Sequence, residues 1–299
     1  MPDPEERRTG VIVNPRSGDH DGARAYKIER LFKAAGIPAR IVEAKERQSV
    51  EAASAGLLAD GCNLLAAAGG DGTVGTVAGI AAAHGALLAV LPCGTMNHFA
   101  RDLRIPLDLA AAVNVTRSGR TLCLDAGEVN GQWFINNSSL GIYPLFVRER
   151  RRHTRRRLSR VAGVLKASWR IARKLPMLQV SLTTAEGTFV RATPFVFVGN
   201  NVYELEGRRL GSRPGIDRGQ LCVCVADVVD ARGLATLLLR AFAGRLREHH
   251  EFEMLVTDEL WVETGRRRIS VANDGEVSRI SGSLHYRIRP RALQVLVPA

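Results

Sequence analysis

The chain has 299 residues, 45% hydrophobic and 24% charged, enough for one large domain or two modest ones with ample core. No apolar run approaches the roughly 20 residues of a membrane-spanning helix, and the opening MPDPEERR does not read as a signal peptide. The net charge of +12 is concentrated: between Arg148 and Lys174, twelve of the 42 basic residues stand against one of the 30 acids, Glu149. The remaining 30 basic and 29 acidic residues nearly cancel. The five cysteines (Cys62, Cys93, Cys123, Cys222, Cys224) are odd in number, sit mostly in apolar runs and lack zinc spacing. Reduced, buried thiols in a cytoplasmic protein are the expected state.

Taken in order, the N-terminal part alternates strand and helix. Gly10 to Val13 reads as a strand opening into Asn14-Pro15-Arg16-Ser17-Gly18, and Asp21 to Ala35 as an amphipathic helix closed by Gly36. Ala39 to Glu43 is the next strand, and Ser49 to Ala59 a helix ending at Gly61. The apolar run Cys62 to Ala68 then breaks at Gly69-Gly70-Asp71-Gly72, and a small-residue helical pattern starts at Thr73. A strand follows at Ala86 to Leu91, then the turn Gly94-Thr95-Met96-Asn97 and a helix to Arg101. Asp108 caps a last helix that stops near Gly119. This alternation implies a doubly wound, mostly parallel sheet, whose ligands bind at the carboxyl ends of the strands. Three strands end in glycine-bearing polar loops (NPRSG, GGDGT, CGTMN) that would open on one sheet edge.

The central glycine loop points to phosphate. Glycine lets a ligand approach the backbone closely, and the N-terminus of the following helix presents N–H groups and a positive dipole end. Asp71 would repel bound phosphates unless a cation lies between, which points to Mg²⁺ with a nucleotide polyphosphate and makes Asp71 the metal candidate. No Lys follows the glycines as a P-loop requires. Gly70-x-Gly72-x-x-Gly75 matches a dinucleotide fingerprint, but the next strand ends in Pro92-Cys93-Gly94 without the acidic residue that would hold a ribose.

From Arg120 onward the period changes to two. LCLDAGEV and QWFINNSS flank Asn130-Gly131, a type I′ hairpin signal, and further alternating runs continue to the C-terminus. The expectation is a β-rich antiparallel sandwich or barrel of about ten strands, interrupted by a helix at Ala231 to Arg245. The domains are drawn at 1–121 and 122–299, with the last strand allowed to return to the first.

NPRSG, GGDGT, LPCGTMNHFA, the Asn200-Asn201 region and Asn273-Asp274-Gly275-Glu276 occur in an order and spacing that resembles the diacylglycerol kinase catalytic family, which includes sphingosine and ceramide kinases and bacterial lipid kinases. The resemblance covers essentially the whole length. It implies an N-terminal nucleotide domain and a C-terminal lipid domain. Asn14, Pro15, Arg16, Ser17 and Gly18, then Gly70, Asp71, Gly72, Thr73, Val74, Gly75 and Thr76, would hold ATP, with Thr95 nearby. Glu276 matches the general base that takes the proton of the acceptor hydroxyl, and Asp274 of the same motif joins it in the catalytic set. The chain departs from many relatives at Gly75-Thr76, at His98, at Ala44 and at Arg218, the last where a second Asp would serve an accessory magnesium site.

After the basic run, Leu158, Val161, Leu165, Trp169 and Ala172 recur at helical spacing, as in a basic amphipathic helix on an anionic bilayer surface or one packed on the β-domain. The reading is an ATP- and Mg²⁺-dependent lipid kinase acting on a hydroxyl of diacylglycerol or a similar amphiphile. Its expected place is cytoplasmic and peripherally membrane-associated, on an anionic surface through Arg148–Lys174. No nucleic-acid partner is expected, and self-association is left open. The alternatives are an NAD kinase-like small-molecule kinase and a catalytically silent lipid-binding regulator.

Overall fold

The computed structural model describes residues 6–17, 23–142, 144, 177–204, 213–226, 233 and 252–299. Gly18, the basic segment Arg148–Lys174 and all but Gly233 of the expected helix Ala231 to Arg245 lie outside the described residues. The chain divides into two compact units: residues 1–126, 133–135 and 289–299, and residues 127–132 and 136–288.

The first unit is an α/β layer. Strands β1 (Thr9–Val13), β2 (Ala39–Glu43), β3 (Leu64–Gly69) and β4 (Leu87–Pro92) pair in parallel in the order β2-β1-β3-β4. The final strand β16 (Leu284–Val297) contributes its C-terminal part, with Gln294 opposite Leu87 and parallel to β4. β1, β3 and β4 are buried along their whole length, which is why they read as continuous apolar runs without alternation. Helices α1 (Arg24–Ala34), α2 (Arg47–Ala59), α3 (Asp71–His84), α4 (His98–Asp102) and α5 (Leu109–Ser118) connect and cover the strands.

Local chemistry moves some boundaries. α2 begins two residues before the expected Ser49, because the Ser49 hydroxyl reaches back to accept the Glu46 N–H at 2.9 Å and so caps from inside the first turn. α3 begins at Asp71 rather than Thr73: Gly70 is extended and already serves as N-cap, so the helix starts at once. Asp71 thereby enters the first turn, where the helix dipole favours its charge. α1 begins at Arg24 among the described residues and ends with Gly36 at φ 67°. Asp108 caps α5 as expected, its Oδ1 accepting from the Ala111 N–H at 2.9 Å.

The second unit is an antiparallel β-sandwich. Among the described residues one sheet has six strands in the order β12-β11-β10-β7-β14-β15: β12 (Phe252–Thr257), β11 (Leu221–Ala226), β10 (Phe195–Asn200), β7 (Asn137–Gly141), β14 (Arg268–Asn273) and β15 (Glu276–Ser281). The other contains β9 (Gly187–Thr193), β8 (Leu178–Thr184), β13 (Glu259–Thr264) and the first part of β16. Their alternating buried residues, such as Leu178, Val180 and Leu182 against Val196 and Val198, form the core. The phenol of Tyr286 on β16 lies 3.0 Å from Ser138 Oγ on β7, a polar link between the two sheets, and burial pushes its pKa up. β5 (Arg120–Val129) and β6 (Gln132–Phe134) form the expected hairpin, with Asn130 and Gly131 both at positive φ as a type I′ turn requires. β5 also pairs with β16, so the alternating C-terminal runs divide between the sandwich and the first unit instead of building one body.

All five cysteines are free thiols, but only Cys222 and Cys224 are fully buried. The other three are partly exposed, which corrects the expectation of uniform burial: Cys62 precedes β3, Cys93 follows β4, and Cys123 lies in the partly exposed first half of β5.

Candidate active site

In the first unit the three polar loops meet at the carboxyl ends of β1, β3 and β4. The loop after β1 is tied to the loop after β3 twice. Asn14 Nδ2 donates to Thr73 Oγ1 at 2.9 Å, and the Gly70 N–H donates to Ser17 Oγ at 3.1 Å. Asn14 also shapes its own turn, accepting the Arg16 N–H on Oδ1 at 2.9 Å. The buried Arg24 guanidinium braces the loop from beneath, donating to the carbonyls of Asn14 and Ser17.

The loop after β4 closes the other side. Asn97 takes the left-handed conformation at φ 50°, and its amide makes a pair of 2.9 Å hydrogen bonds with the N–H and carbonyl of Gly94. This folds Gly94 against Gly70 so tightly that a Cβ on Gly94 would lie 2.6 Å from the Gly70 Cα. Asp71 Oδ1 then accepts the Phe99 N–H at 3.3 Å, pinning the start of α4 to the start of α3.

The result is a backbone cradle at the N-terminus of α3. No side chain caps that helix, so its first-turn N–H groups have no partner of the capping kind and face the three loops. Burial pushes the Cys93 thiol up, partly offset by Arg24 and Lys27, so it adds no negative charge at neutral pH. The residues present suit a polyphosphate, because the first turn of α3 has no side-chain cap and can offer its backbone N–H groups to an anion. A Mg²⁺ ion fits as well, with Asp71 as its one carboxylate and phosphates and water as the remaining ligands. The second oxygen of Asp71 has no protein partner among the described residues. Those residues hold no group of three or more His, Cys, Asp or Glu side chains placed to ligate a metal unaided.

The other proposed ligands are placed unequally. Thr95 is exposed on the third loop, and Pro15 and Arg16 line the rim of the first, Arg16 lying 3.7 Å from Glu46. Gly72 is the second residue of α3, and Thr76 donates to its carbonyl at 3.0 Å. Val74 and Gly75 are buried on the core side of α3, so Val74 offers the cradle its backbone alone.

In the second unit, Asp274 and Gly275 form the turn of the β14–β15 hairpin, both at positive φ, with Asn273 paired to Glu276. Asp274 is spent on position. Its Oδ1 accepts the N–H groups of Asn136 at 2.8 Å and Asn137 at 3.1 Å, and its own N–H donates to the Asn137 carbonyl at 2.9 Å. The same Asn136 receives Arg213 Nη2 on its side chain at 3.1 Å and the Tyr203 hydroxyl on its carbonyl at 2.9 Å. Glu276 therefore stands at the first position of β15, half-buried, on a turn clamped to its neighbours. Beside it Asn273 is 2% exposed, and its Oδ1 has no hydrogen-bond partner among the described residues.

Arg24, Asn97, Asn136 and Arg213 were not singled out by sequence. Asn97 had a signal, since an Asn after Gly-x-x suits a left-handed turn. Arg24 is one basic residue among several on a helix and had none.

Residues 8–129 match the family model described as the diacylglycerol kinase catalytic domain, and residues 146–297 match the YegS C-terminal NAD kinase beta sandwich-like domain. Residues 8–129 belong to the diacylglycerol kinase catalytic family. The first family model contains every described cradle residue and the second contains Asp274 and Glu276. Proteins named diacylglycerol kinase are similar to it: one from Staphylococcus carnosus is 30% identical over 138 residues, covering 45% of each chain. One from Staphylococcus aureus is 35% identical over 140 residues, covering 45% of this chain and 44% of the relative. These matches thus span a little under half the length of the relatives. A crystal structure of a diacylglycerol kinase from Bacillus anthracis shares the fold at TM-score 0.68, 19% identity and 97% coverage of both chains. A further structure from that organism reaches TM-score 0.73 at 22% identity with the same coverage.

Gly94→Ala tests the cradle's geometry. The added methyl meets backbone, which cannot rotate away, so an overpacking cost of about 1–3 kcal/mol is expected in urea denaturation. A midpoint equal to that of the unaltered protein would show that the Gly70–Gly94 approach is not tight.

Proposed function

We propose that the chain transfers the γ-phosphate of ATP to a hydroxyl of diacylglycerol or a similar amphiphilic lipid. The observation that carries this reading is the three-loop cradle at the uncapped N-terminus of α3. Membership of the diacylglycerol kinase family, and relatives bearing that name, support the lipid acceptor. In this reading the α3 amides, Asn14 and Ser17 orient the phosphates and Asp71 faces the cation. A bound Mg²⁺ would neutralise phosphate charge. Glu276 takes the proton of the acceptor hydroxyl as the new O–P bond forms and the bond from the γ-phosphorus to the ADP oxygen breaks. Asp274 is a positioning residue that holds the hairpin carrying Glu276. The enzyme works on a cytoplasmic, anionic membrane surface, a placement supported by the composition of Arg148–Lys174 and by its lipid substrate; no described helix is long and apolar enough to cross a membrane.

The deciding experiment offers labelled ATP and Mg²⁺ with a total lipid extract, and NAD in a parallel reaction. A labelled lipid is expected; label in NAD alone would move the assignment to a small-molecule kinase, which the description of the C-terminal family also suits. Glu276→Gln should lower kcat by roughly 10²–10⁴-fold with KM for ATP little changed. A loss below threefold would remove Glu276 from proton transfer.

Asp71→Asn separates charge from structure. The amide oxygen still accepts the Phe99 N–H, so stability should stay within about 0.5 kcal/mol. Magnesium-dependent nucleotide binding, read by calorimetry, should be lost. Unchanged binding would leave Asp71 as a helix-pinning residue only.

A further inference from the structure

The hairpin that carries Glu276 has a second feature on its other face, which the proposed reaction does not use. A pocket of about 270 Å³ opens there, lined by Arg266, Arg268, Ser270 and Arg279 together with Gly141 and Leu178. In the β14–β15 register Ser270 lies opposite Arg279 and Arg268 opposite Ser281. Alternate residues share a face, so Arg268, Ser270 and Arg279 stand together. Glu276 lies three residues before Arg279, on the opposite face and roughly 10 Å along the strand.

The charge pattern is one-sided. Among the described residues no carboxylate lines the pocket, and none of the three arginines forms an ion pair or hydrogen bond through its guanidinium. Adjacent like charges on a sheet repel one another, so the arrangement is poorly satisfied as it stands. The pocket is also far larger than the roughly 30 Å³ share of one water. Guanidinium groups match tetrahedral oxyanions through paired N–H donors, and the Ser270 hydroxyl adds another.

We propose that this pocket binds a phosphate group, carried either by an anionic phospholipid headgroup or by a soluble phosphate. The lipid source has one more observation behind it. Gly141 and Leu178, which line the pocket, flank in sequence the stretch that contains twelve basic residues between Arg148 and Lys174. The proposal is independent of the kinase assignment, since neither Glu276 nor the phosphate cradle takes part.

The test compares the full-length protein with Arg268→Gln/Arg279→Gln and with a charge-matched control, Arg120→Gln/Arg267→Gln, whose exposed arginines do not line the pocket. Sedimentation with phosphatidylglycerol/phosphatidylcholine vesicles reads the lipid source, and the rise of Tm with inorganic phosphate reads the soluble one. The pocket variant should bind the mixed vesicles roughly thirtyfold more weakly, and the control within about twofold of the unaltered protein. Loss of phosphate-induced stabilisation in the pocket variant, with vesicle binding intact, would assign a soluble phosphate instead. Equal vesicle losses in both variants, with phosphate stabilising all three proteins alike, would overturn the site. If the double variant has a lowered Tm without ligand, Arg266→Gln, on the exposed turn before β14, carries the same comparison.

Discussion

The close approach of Gly70 and Gly94 is the constraint on which the cradle depends. Two backbones can meet there only because neither carries a side chain, and a Cβ on Gly94 would press on the Gly70 Cα. Everything around it keeps that approach fixed. Asn97 adopts a left-handed conformation to clasp Gly94, Asp71 holds the start of α4, and Asn14 and Ser17 hold the start of α3 from the other side. A helix N-terminus is a common feature and binds little by itself. Three loops fixed around it, with polar groups committed to each other and no side-chain cap on the helix, hold its first turn in the arrangement that the proposed nucleotide site requires.

The second unit applies the same economy to one carboxylate. Asp274 spends its charge on two backbone N–H groups, which turns a two-residue hairpin into a rigid mount for Glu276. The part-buried Arg213–Asn136 contact and the Tyr203 hydroxyl stiffen the segment that supplies those N–H groups. Two acidic residues separated by one glycine thus have different surroundings: the first accepts two backbone N–H groups, and the second stands half-buried at the start of β15. The opposite face of the same hairpin carries the arginine pocket, and the alternation of a strand keeps the two chemistries apart.

Much of this was legible in the sequence where a single local rule decides the structure. The continuous apolar runs of β3 and β4 announced strands buried on both faces, and Asn130-Gly131 announced its own turn type. Asp108 announced a cap that is present. Legibility failed where a partner distant in sequence decides. Arg24 is one basic residue on an amphipathic helix until it is seen beneath the first loop, and the hold of the Asp274 carboxylate on the amides of Asn136 and Asn137 joins residues far apart in sequence. The return of the last strand to the first unit, which the domain reading allowed, follows from the pairing of β16 with β4 at one end and β13 at the other. The arginine pocket was hidden for the same reason, because Arg268 and Arg279 become neighbours only through the hairpin register.

The central claim, a nucleotide seated on the first-turn amides of α3, is tested most directly by hydrogen–deuterium exchange with and without Mg²⁺ and ATP. The account predicts slowed exchange at residues 14–17, 70–73 and 94–97, with the six-stranded sheet of the sandwich unchanged. Nucleotide binding accompanied by protection elsewhere, with those three loops exchanging as before, would contradict it.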